Sequence, residues 1–137
     1  MTTTEFNTSV RVYIEDTDTA GIVYHANYLK YMERARTEWL RRLGMTSRQL
    51  IDTEDAVFVV HHVTMDFHRP AFLDDLLDLH TSVPLMRGAS VEFDHRVSHA
   101  ERGALVDARL RCVYVDRGSH RPRRIPLALR QEFGHAG

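Results

Sequence analysis

The sequence predicts one α+β domain, spanning residues 1–137, in which a long helix packs against an antiparallel sheet. Residues 27–43 carry apolar side chains every three or four positions, which is the spacing of one helix face. The segments before and after them alternate apolar and polar side chains every two positions, which is typical of strands. The length is that of a single domain, and no internal repeat or linker interrupts it.

The alternation of period two predicts five strands. Their approximate ranges are 8–16, 57–68, 77–85, 91–97 and 106–114. In the first strand, Val10, Val12 and Ile14 are expected to share one face. Short turns that contain Gly88 and Gly103 join the last three strands, which favours an antiparallel meander.

The ends of the helix are predicted from residue type. Asn27 is a residue that often caps helix N-termini, and Gly44 is favoured just beyond the C-terminus, so the helix would be about 25 Å long. From Arg117 onward the tail (117–137) contains two prolines and is expected to be partly irregular, with a short docked segment over residues 127–133.

One helix cannot cover both faces of a five-stranded sheet. Residues 57–60 are apolar on both faces of their strand, so a second copy of the chain is expected to cover the remaining face. The sequence therefore predicts a homo-oligomer.

The composition argues against several classes of function. A formal net charge of −1 produces no field that would attract nucleic acid or an anionic membrane. No apolar run approaches the roughly 20 residues that cross a bilayer, and the first residues lack the features of a signal peptide. Cys112 is the sole cysteine, which excludes an intrachain disulfide and a cysteine-based metal knuckle. We expect a cytoplasmic protein.

Residues 15–28, EDTDTAGIVYHANY, concentrate three acids, a glycine and a histidine just before the predicted helix. Residues 17–26 lack a period, and Gly21 indicates a loop with special backbone demands. The acids could form a solvated turn, a metal site or a catalytic site. Glu15 points away from the apolar face of the strand and is interpreted as solvated.

A metal site is the less favoured of these interpretations. Asp16, Asp18 and His25 could offer ligands together with His61 and His62. However, the loop lacks the later glutamate of a calcium-binding loop, and neighbouring residues of a strand point to opposite faces. We therefore expect no metal.

Residues 10–40, VRVYIEDTDTAGIVYHANYLKYMERARTEWL, resemble the hotdog-fold acyl-CoA thioesterases of the 4-hydroxybenzoyl-CoA thioesterase superfamily, in particular the YbgC-type branch. In many bacteria that branch is linked with the Tol–Pal envelope system. Weaker similarity continues through residues 56–79, 86–93 and 124–133. The resemblance implies a helix wrapped by a five-stranded antiparallel sheet, active sites at a dimer interface, and dimers of dimers (a homotetramer).

The resemblance also implies a reaction, the hydrolysis of an acyl-CoA thioester to a free acid and CoA without a bound cofactor. This reaction needs a carboxylate, as general base or nucleophile, and donors for the oxygen that becomes negative. By resemblance, Asp18 is that carboxylate; from residue type alone it would be a turn-stabilising aspartate. The backbone amide of His25, at the positive end of the helix dipole, is the implied oxyanion donor, and the His25 side chain is an implied auxiliary.

The residues implied to support this loop are Gly21, Tyr24 and Asp16, and Asp16 is expected to be its hydrogen-bonding scaffold. Ile14 departs from the pattern, since close relatives often carry a tyrosine there. If that hydroxyl assists catalysis in them, Tyr13 or Tyr24 would have to replace it.

Substrate contacts are implied at two further places. Glu33 corresponds to a helical acid that approaches the acyl group in aryl-CoA relatives; the alternative is a solvated acid paired with Arg36. The turn with Arg87, Gly88 and Ser90 matches the family's turn near the nucleotide, where an arginine suits phosphate.

Two other functions remain open at this point: a hotdog enoyl-CoA hydratase or dehydratase, and a non-catalytic binding module for an acyl thioester or an acyl carrier protein. The sequence predicts neither the length of the acyl chain nor the choice between CoA and carrier-protein thioesters.

Overall fold

The computed structural model describes residues 5–134 and shows a long helix wrapped by a five-stranded antiparallel sheet. The strands are β1 (Glu5–Arg11), β2 (Ala56–Phe67), β3 (Leu76–Met86), β4 (Ser90–His99) and β5 (Gly103–Asp116). The helices are α1 (Asn27–Arg42), α2 (Ser47–Gln49) and α3 (Leu127–Glu132), with a 3₁₀ turn at Ile14–Asp16 and a π-helical turn at Leu50–Glu54. The predicted α+β architecture is confirmed, and α3 is the predicted docked segment.

The strand order is β1-β3-β4-β5-β2, with every neighbouring pair antiparallel. The three strands β3, β4 and β5 form the predicted meander. The chain crosses from β1 through α1 to the opposite edge of the sheet, where β2 pairs only with β5. The outer edge of β2 therefore has no strand partner within residues 5–134.

The core forms two apolar clusters along α1. Trp39 packs with Phe6, Phe93 and Phe133 in the first cluster, toward the C-terminal half of the helix. Tyr31 belongs to the second cluster, which lies beneath residues 14–27. The second cluster also contains Val12, Val23, Tyr28, Met32 and Ala71. The predicted apolar stripe of α1 is thus buried, and Gly44 follows the helix with a left-handed φ of 85°.

Two predictions near the start of the helix are wrong, the end of the first strand and the residue that caps the helix, although α1 begins at Asn27 as predicted. The first strand does not extend to residue 16; β1 ends at Arg11 and the chain turns, which leaves Ile14 74% exposed. The N-cap of α1 is Ala26 rather than Asn27, because the side-chain amide of Asn27 donates to Asp16 at 2.9 Å instead of capping the helix. Both differences follow from the burial of Asp16.

His95 on β4 is a histidine in the core, 2% exposed. Its Nδ1 lies 2.9 Å from Thr81 Oγ1, and its Nε2 lies 3.0 Å from Arg36 Nη1. Because a guanidinium can only donate, Nε2 must accept, so Nδ1 carries the proton and donates to Thr81. Burial, and then the charge of Arg36, lower the pKa of His95 to about 3.

This shift predicts a loss of stability in mild acid. Below pH 6.5 the unfolded chain binds a proton at this position, whereas the folded chain does so only near pH 3. The free energy of unfolding should therefore fall by up to about 1.4 kcal/mol per pH unit as the pH drops from 6 to 5, above most of the range in which carboxylates bind protons. Urea unfolding across this range should show a flatter slope in His95→Gln than in wild type or in the exposed control His61→Gln. Equal slopes in all three proteins would contradict the assignment.

Candidate active site

The loop between the 3₁₀ turn and α1 is held by backbone hydrogen bonds within itself and to the connection between β2 and β3. Thr17 pairs with Val23, and the amide of Val23 donates to the carbonyl of Ala71 at 2.9 Å. Between them the chain reverses at Gly21, whose φ of 79° is in the left-handed region and whose amide donates to the Asp18 carbonyl at 3.0 Å. The loop therefore has a defined backbone conformation with a fixed turn at Gly21.

Asp16 is the buried centre of this loop, with 6% exposure. Its Oδ2 accepts from the Tyr13 amide and its Oδ1 from the Asn27 side chain, each at 2.9 Å. Its backbone carbonyl accepts from the Tyr24 amide at 2.9 Å. Asp16 thus joins the end of the first strand, the loop and the start of the helix.

The environment of Asp16 keeps it ionised. Burial would raise the pKa of Asp16, but the hydrogen bonds from Tyr13 and Asn27, with the nearby Tyr31 hydroxyl and the charge of Arg34, hold it below its ordinary value. The Tyr31 hydroxyl makes no hydrogen bond of good geometry within residues 5–134, yet burial and the neighbouring Asp16 raise the pKa of Tyr31. Both carboxylate oxygens of Asp16 are engaged, which suits a scaffold and not a reacting group.

Asp18, two residues later, has a different environment. It is exposed, and its Oδ1 accepts only from the Ala20 amide at 2.8 Å. Its Oδ2 has no hydrogen-bond partner within the described part of the chain. Of the two aspartates in the loop, Asp18 is the one with an oxygen available for a substrate or a water molecule.

Next to the helix, His25 offers two groups. Its ring is exposed and lies against Tyr24, with 4.5 Å between ring centroids. Its backbone amide has no acceptor among residues 5–134, and it precedes the first turn of α1, where the helix dipole is positive. Tyr13, Tyr24 and Ile14 are exposed in the same region, so both tyrosines remain candidates for the role that Ile14 leaves unfilled.

A cavity of about 420 Å³ lies between α1, the turn at Leu50–Glu54 and the first half of β2. Its wall is mostly apolar. The lining residues are Glu33, Arg36, Thr37, Leu40, Ser47, Leu50, Ala56, Val57, Phe58, Val59, Val60, Phe93, Cys112 and Phe133. Burial raises the pKa of the Cys112 thiol, so it stays protonated and is a poor nucleophile. Glu33 and Arg36 are the charged groups of this wall.

The turn at residues 87–90 is held by the C-terminal segment. Arg87 donates its amide to the Ser90 carbonyl at 2.8 Å, and the Ile125 amide donates to the Gly88 carbonyl at 2.9 Å. The buried guanidinium of Arg130 donates to the Arg87 carbonyl at 2.5 Å. The Arg87 side chain remains exposed. The burial of Arg130 carries no signal in the sequence, because the tail has no regular alternation of apolar and polar residues.

The structure does not bring all of the predicted residues together within one chain. The loop with Asp18 lies near the Phe67 end of β2, where Tyr28 contacts Phe67 with 5.8 Å between ring centroids. The cavity with Glu33 lies at the other end, against residues 56–60. From Val60 to Phe67 a strand extends about 23 Å. One chain alone therefore does not place Asp18 at its own cavity.

Within residues 5–134, no three His, Cys, Asp or Glu side chains are grouped closely enough to hold a metal ion. His61 contacts Arg111 at 3.1 Å. In the same range, none of the helices is both long enough and apolar enough to span a bilayer.

Comparison with known proteins places these features in a family. The profile of the thioesterase superfamily matches residues 20–106, which is more than half of the chain and includes the loop from Ala20 onward, α1, the strands β2, β3 and β4, and the first residues of β5. The chain belongs to the thioesterase superfamily. The resemblance drawn from residues 10–40 is confirmed.

The chain is similar to two named acyl-CoA thioesterases and to a probable thioesterase of known crystal structure. The acyl-CoA thioester hydrolase YbgC of Escherichia coli O6:H1 is 44% identical over 97% of this chain and 98% of its own length. The acyl-CoA thioesterase YbgC of Haemophilus influenzae is 40% identical, with 95% of each chain covered. The crystal structure of a probable thioesterase from Bartonella henselae matches with a TM-score of 0.85 and 36% identity, covering 89% of this chain and 99% of that one.

The different environments of the two loop aspartates predict different mutant phenotypes. Asp16→Ala leaves the Tyr13 amide and the Asn27 side chain without their acceptor, which should cost about 1–3 kcal/mol and lower the melting temperature by several degrees. Asp18→Ala removes one exposed hydrogen bond and should change stability by less than about 1 kcal/mol. Thermal unfolding of both variants tests this, and a larger loss in Asp18→Ala would refute the scaffold role of Asp16.

Proposed function

We propose that this chain hydrolyses acyl-CoA thioesters, with the Asp18 carboxylate as the reacting group. The main support is the difference in hydrogen bonding between the two loop aspartates. Both carboxylate oxygens of Asp16 accept hydrogen bonds, whereas Oδ2 of Asp18 accepts none within the described residues. Membership of the thioesterase superfamily and the YbgC relatives support hydrolysis of a thioester.

Two routes use the same geometry. As a general base, Asp18 takes a proton from water while the water oxygen attacks the thioester carbonyl carbon. As a nucleophile, Asp18 itself attacks and forms a mixed anhydride, which water then hydrolyses. In both routes the C–S bond breaks, CoA leaves as the thiolate and takes up a proton, and the acid is released.

The oxygen that becomes negative during attack needs donors. The unpaired amide of His25 and the positive end of α1 supply them, and they need no rearrangement during the reaction. The His25 side chain is the auxiliary group. No metal or bound cofactor takes part in this proposal; coenzyme A enters only as part of the substrate.

We propose further that the functional unit is a dimer in which two β2 edges pair through a two-fold axis. Val59, Val60, Val63 and Phe67 of β2 are exposed apolar side chains on this edge strand, which would otherwise be a hazard for aggregation. Antiparallel pairing of two β2 strands sets the Phe67 end of one copy beside the residue 56–60 end of the other. Asp18 of one copy would then face the cavity of its partner.

We also propose that two dimers associate into a tetramer and that the protein is cytoplasmic. In the same proposal, the exposed Arg87 contacts the CoA phosphates together with Gly88 and Ser90. An acyl carrier protein as the thiol carrier, and a link with the Tol–Pal system, stay predictions from the resemblance.

Replacing the reacting carboxylate should abolish hydrolysis without unfolding the protein. Asp18→Asn should lower kcat at least about 100-fold on short, long and aromatic acyl-CoAs, because the amide is neither a base nor a nucleophile of comparable strength. His25→Ala keeps the backbone amide and should lose less. Release of the CoA thiol is the measurement, with Glu15→Gln, a nearby exposed acid, as the control.

Full activity in Asp18→Asn would refute the mechanism. Hydration of an enoyl-CoA without thiol release would favour the hydratase function, and binding of acyl-CoA without turnover would favour the binding module.

A mixed dimer tests whether the site is shared between copies. The Asp18→Asn variant keeps an open cavity but lacks the reacting carboxylate. The Thr37→Trp variant keeps Asp18, and its tryptophan is designed to fill the cavity. Each variant alone should be nearly inactive. Unfolded and refolded together at equal amounts, they should recover about a quarter of wild-type activity, because half of the dimers are mixed and each holds one complete site. A mixture as inactive as its parts would show that the cavity and Asp18 act within one chain.

A further inference from the structure

The cavity contains a cationic group whose role the proposed hydrolysis does not explain. Arg36 projects from α1 into the cavity wall, and its guanidinium carbon lies 5.8 Å from the centroid of the Phe93 ring. Its Nη1 donates to Nε2 of His95 at 3.0 Å. The side chain is half-buried, in a wall that is otherwise mostly apolar.

Within residues 5–134, no carboxylate oxygen lies within 4 Å of this guanidinium, although seven other arginines form such ion pairs. Those arginines are Arg41, Arg48, Arg96, Arg102, Arg109, Arg117 and Arg123. Arg36 is therefore a cation that is partly withdrawn from water without a carboxylate partner, which is unusual in proteins. Burial lowers the pKa of Arg36, while the neighbouring Cys112 and Glu33 act in the opposite direction.

His95 positions this cation and does not neutralise it. The ring is neutral, accepts from Arg36 on one side and donates to Thr81 on the other. The Nε and Nη2 groups of Arg36 make no hydrogen bond within the described residues. Both groups keep some accessible surface. Two adjacent donors are thus held ready in a fixed fork.

A carboxylate fits this fork, since guanidinium binds it with two parallel hydrogen bonds. The apolar wall fits the methylene groups of an aliphatic chain. An acyl group with apolar carbons and a carboxylate at its far end would satisfy both. Glu33 also lines the cavity, but it is exposed and further than 4 Å from Arg36. It is the competing anion within the chain.

We propose that Arg36 binds a carboxylate at the distal end of the acyl group, so that the preferred substrates are CoA monothioesters of aliphatic dicarboxylic acids. This inference rests on the proposed function, because it assigns the acyl end of that substrate.

The test compares acyl-CoAs of equal carbon number that differ only at the distal end. Glutaryl-CoA is paired with pentanoyl-CoA, and adipyl-CoA with hexanoyl-CoA. In the wild type, kcat/KM for at least one carboxylated substrate should exceed that of its partner about tenfold or more. Arg36→Met should lower this ratio at least about tenfold while the alkanoyl-CoA is still hydrolysed. Arg36→Lys should retain part of the ratio because it keeps the charge and loses the fork.

Two variants serve as controls. Arg41→Met removes an exposed arginine from the same helix and should leave the ratio unchanged. Glu33→Gln removes the competing charge and should leave the ratio equal or higher.

Several results would overturn the inference. The first is the absence of a wild-type preference for the carboxylated partner in both pairs. The second is an equal ratio in wild type and Arg36→Met. The third is a preference for 4-hydroxybenzoyl-CoA over benzoyl-CoA with none for a carboxylated chain. If Arg36→Met does not fold, the wild-type ratios still decide. If the wild type hydrolyses no acyl-CoA, the proposed function fails separately, and calorimetric binding of glutaryl-CoA and pentanoyl-CoA to the wild type decides whether the carboxylate is recognised.

Discussion

The buried carboxylate of Asp16 is the interaction on which the rest of the site depends. It binds the Tyr13 amide and the Asn27 side chain, and its carbonyl holds the Tyr24 amide. These contacts end the first strand, shape the loop and orient the start of α1. A buried anion is tolerated only when its hydrogen bonds are made, so the loop is fixed by the need to satisfy this one group. Because Asp16 takes the scaffold role, Asp18 is left with a free oxygen.

The arrangement of the fold separates the chemical group from the cavity. Asp18 lies at one end of the edge strand β2, and the cavity lies at the other. An edge strand with exposed valines also calls for a partner. Pairing of two β2 strands about a two-fold axis would cover this edge. Because the paired strands are antiparallel, it would also place Asp18 of one copy beside the cavity of the other. In this account, association of two copies is part of the active site as well as of stability.

Much of the fold could be predicted from the sequence, because its periodicities are long and regular. The meander follows from alternation and from turns at Gly88 and Gly103, and the stripe of α1 is clear. The first strand was predicted too long because Ile14 continues the alternation, whereas the chain turns there to bury Asp16. Residue type likewise predicted Asn27 as a cap, although its amide is used by Asp16.

The pairing of Arg36 with His95 could not be predicted. It joins two residues 59 positions apart, and it depends on how α1 lies over β4. Neither a lone arginine on a polar helix face nor one histidine in an alternating strand carries a signal for it. The buried Arg130 beneath the turn at residue 87 was missed for the same reason, since tertiary contacts of the tail leave no periodic pattern.

The most direct test of the account is a crystal structure of the protein with an acyl-CoA analogue in which a methylene group replaces the thioester sulfur. We expect the ligand carbonyl to lie within hydrogen-bond distance of the His25 amide, with the Asp18 carboxylate of one copy facing the carbonyl carbon. We also expect the acyl group to enter the cavity of the other copy. A carbonyl bound away from Asp18, or an acyl group held by one copy alone, would rule out the shared active site.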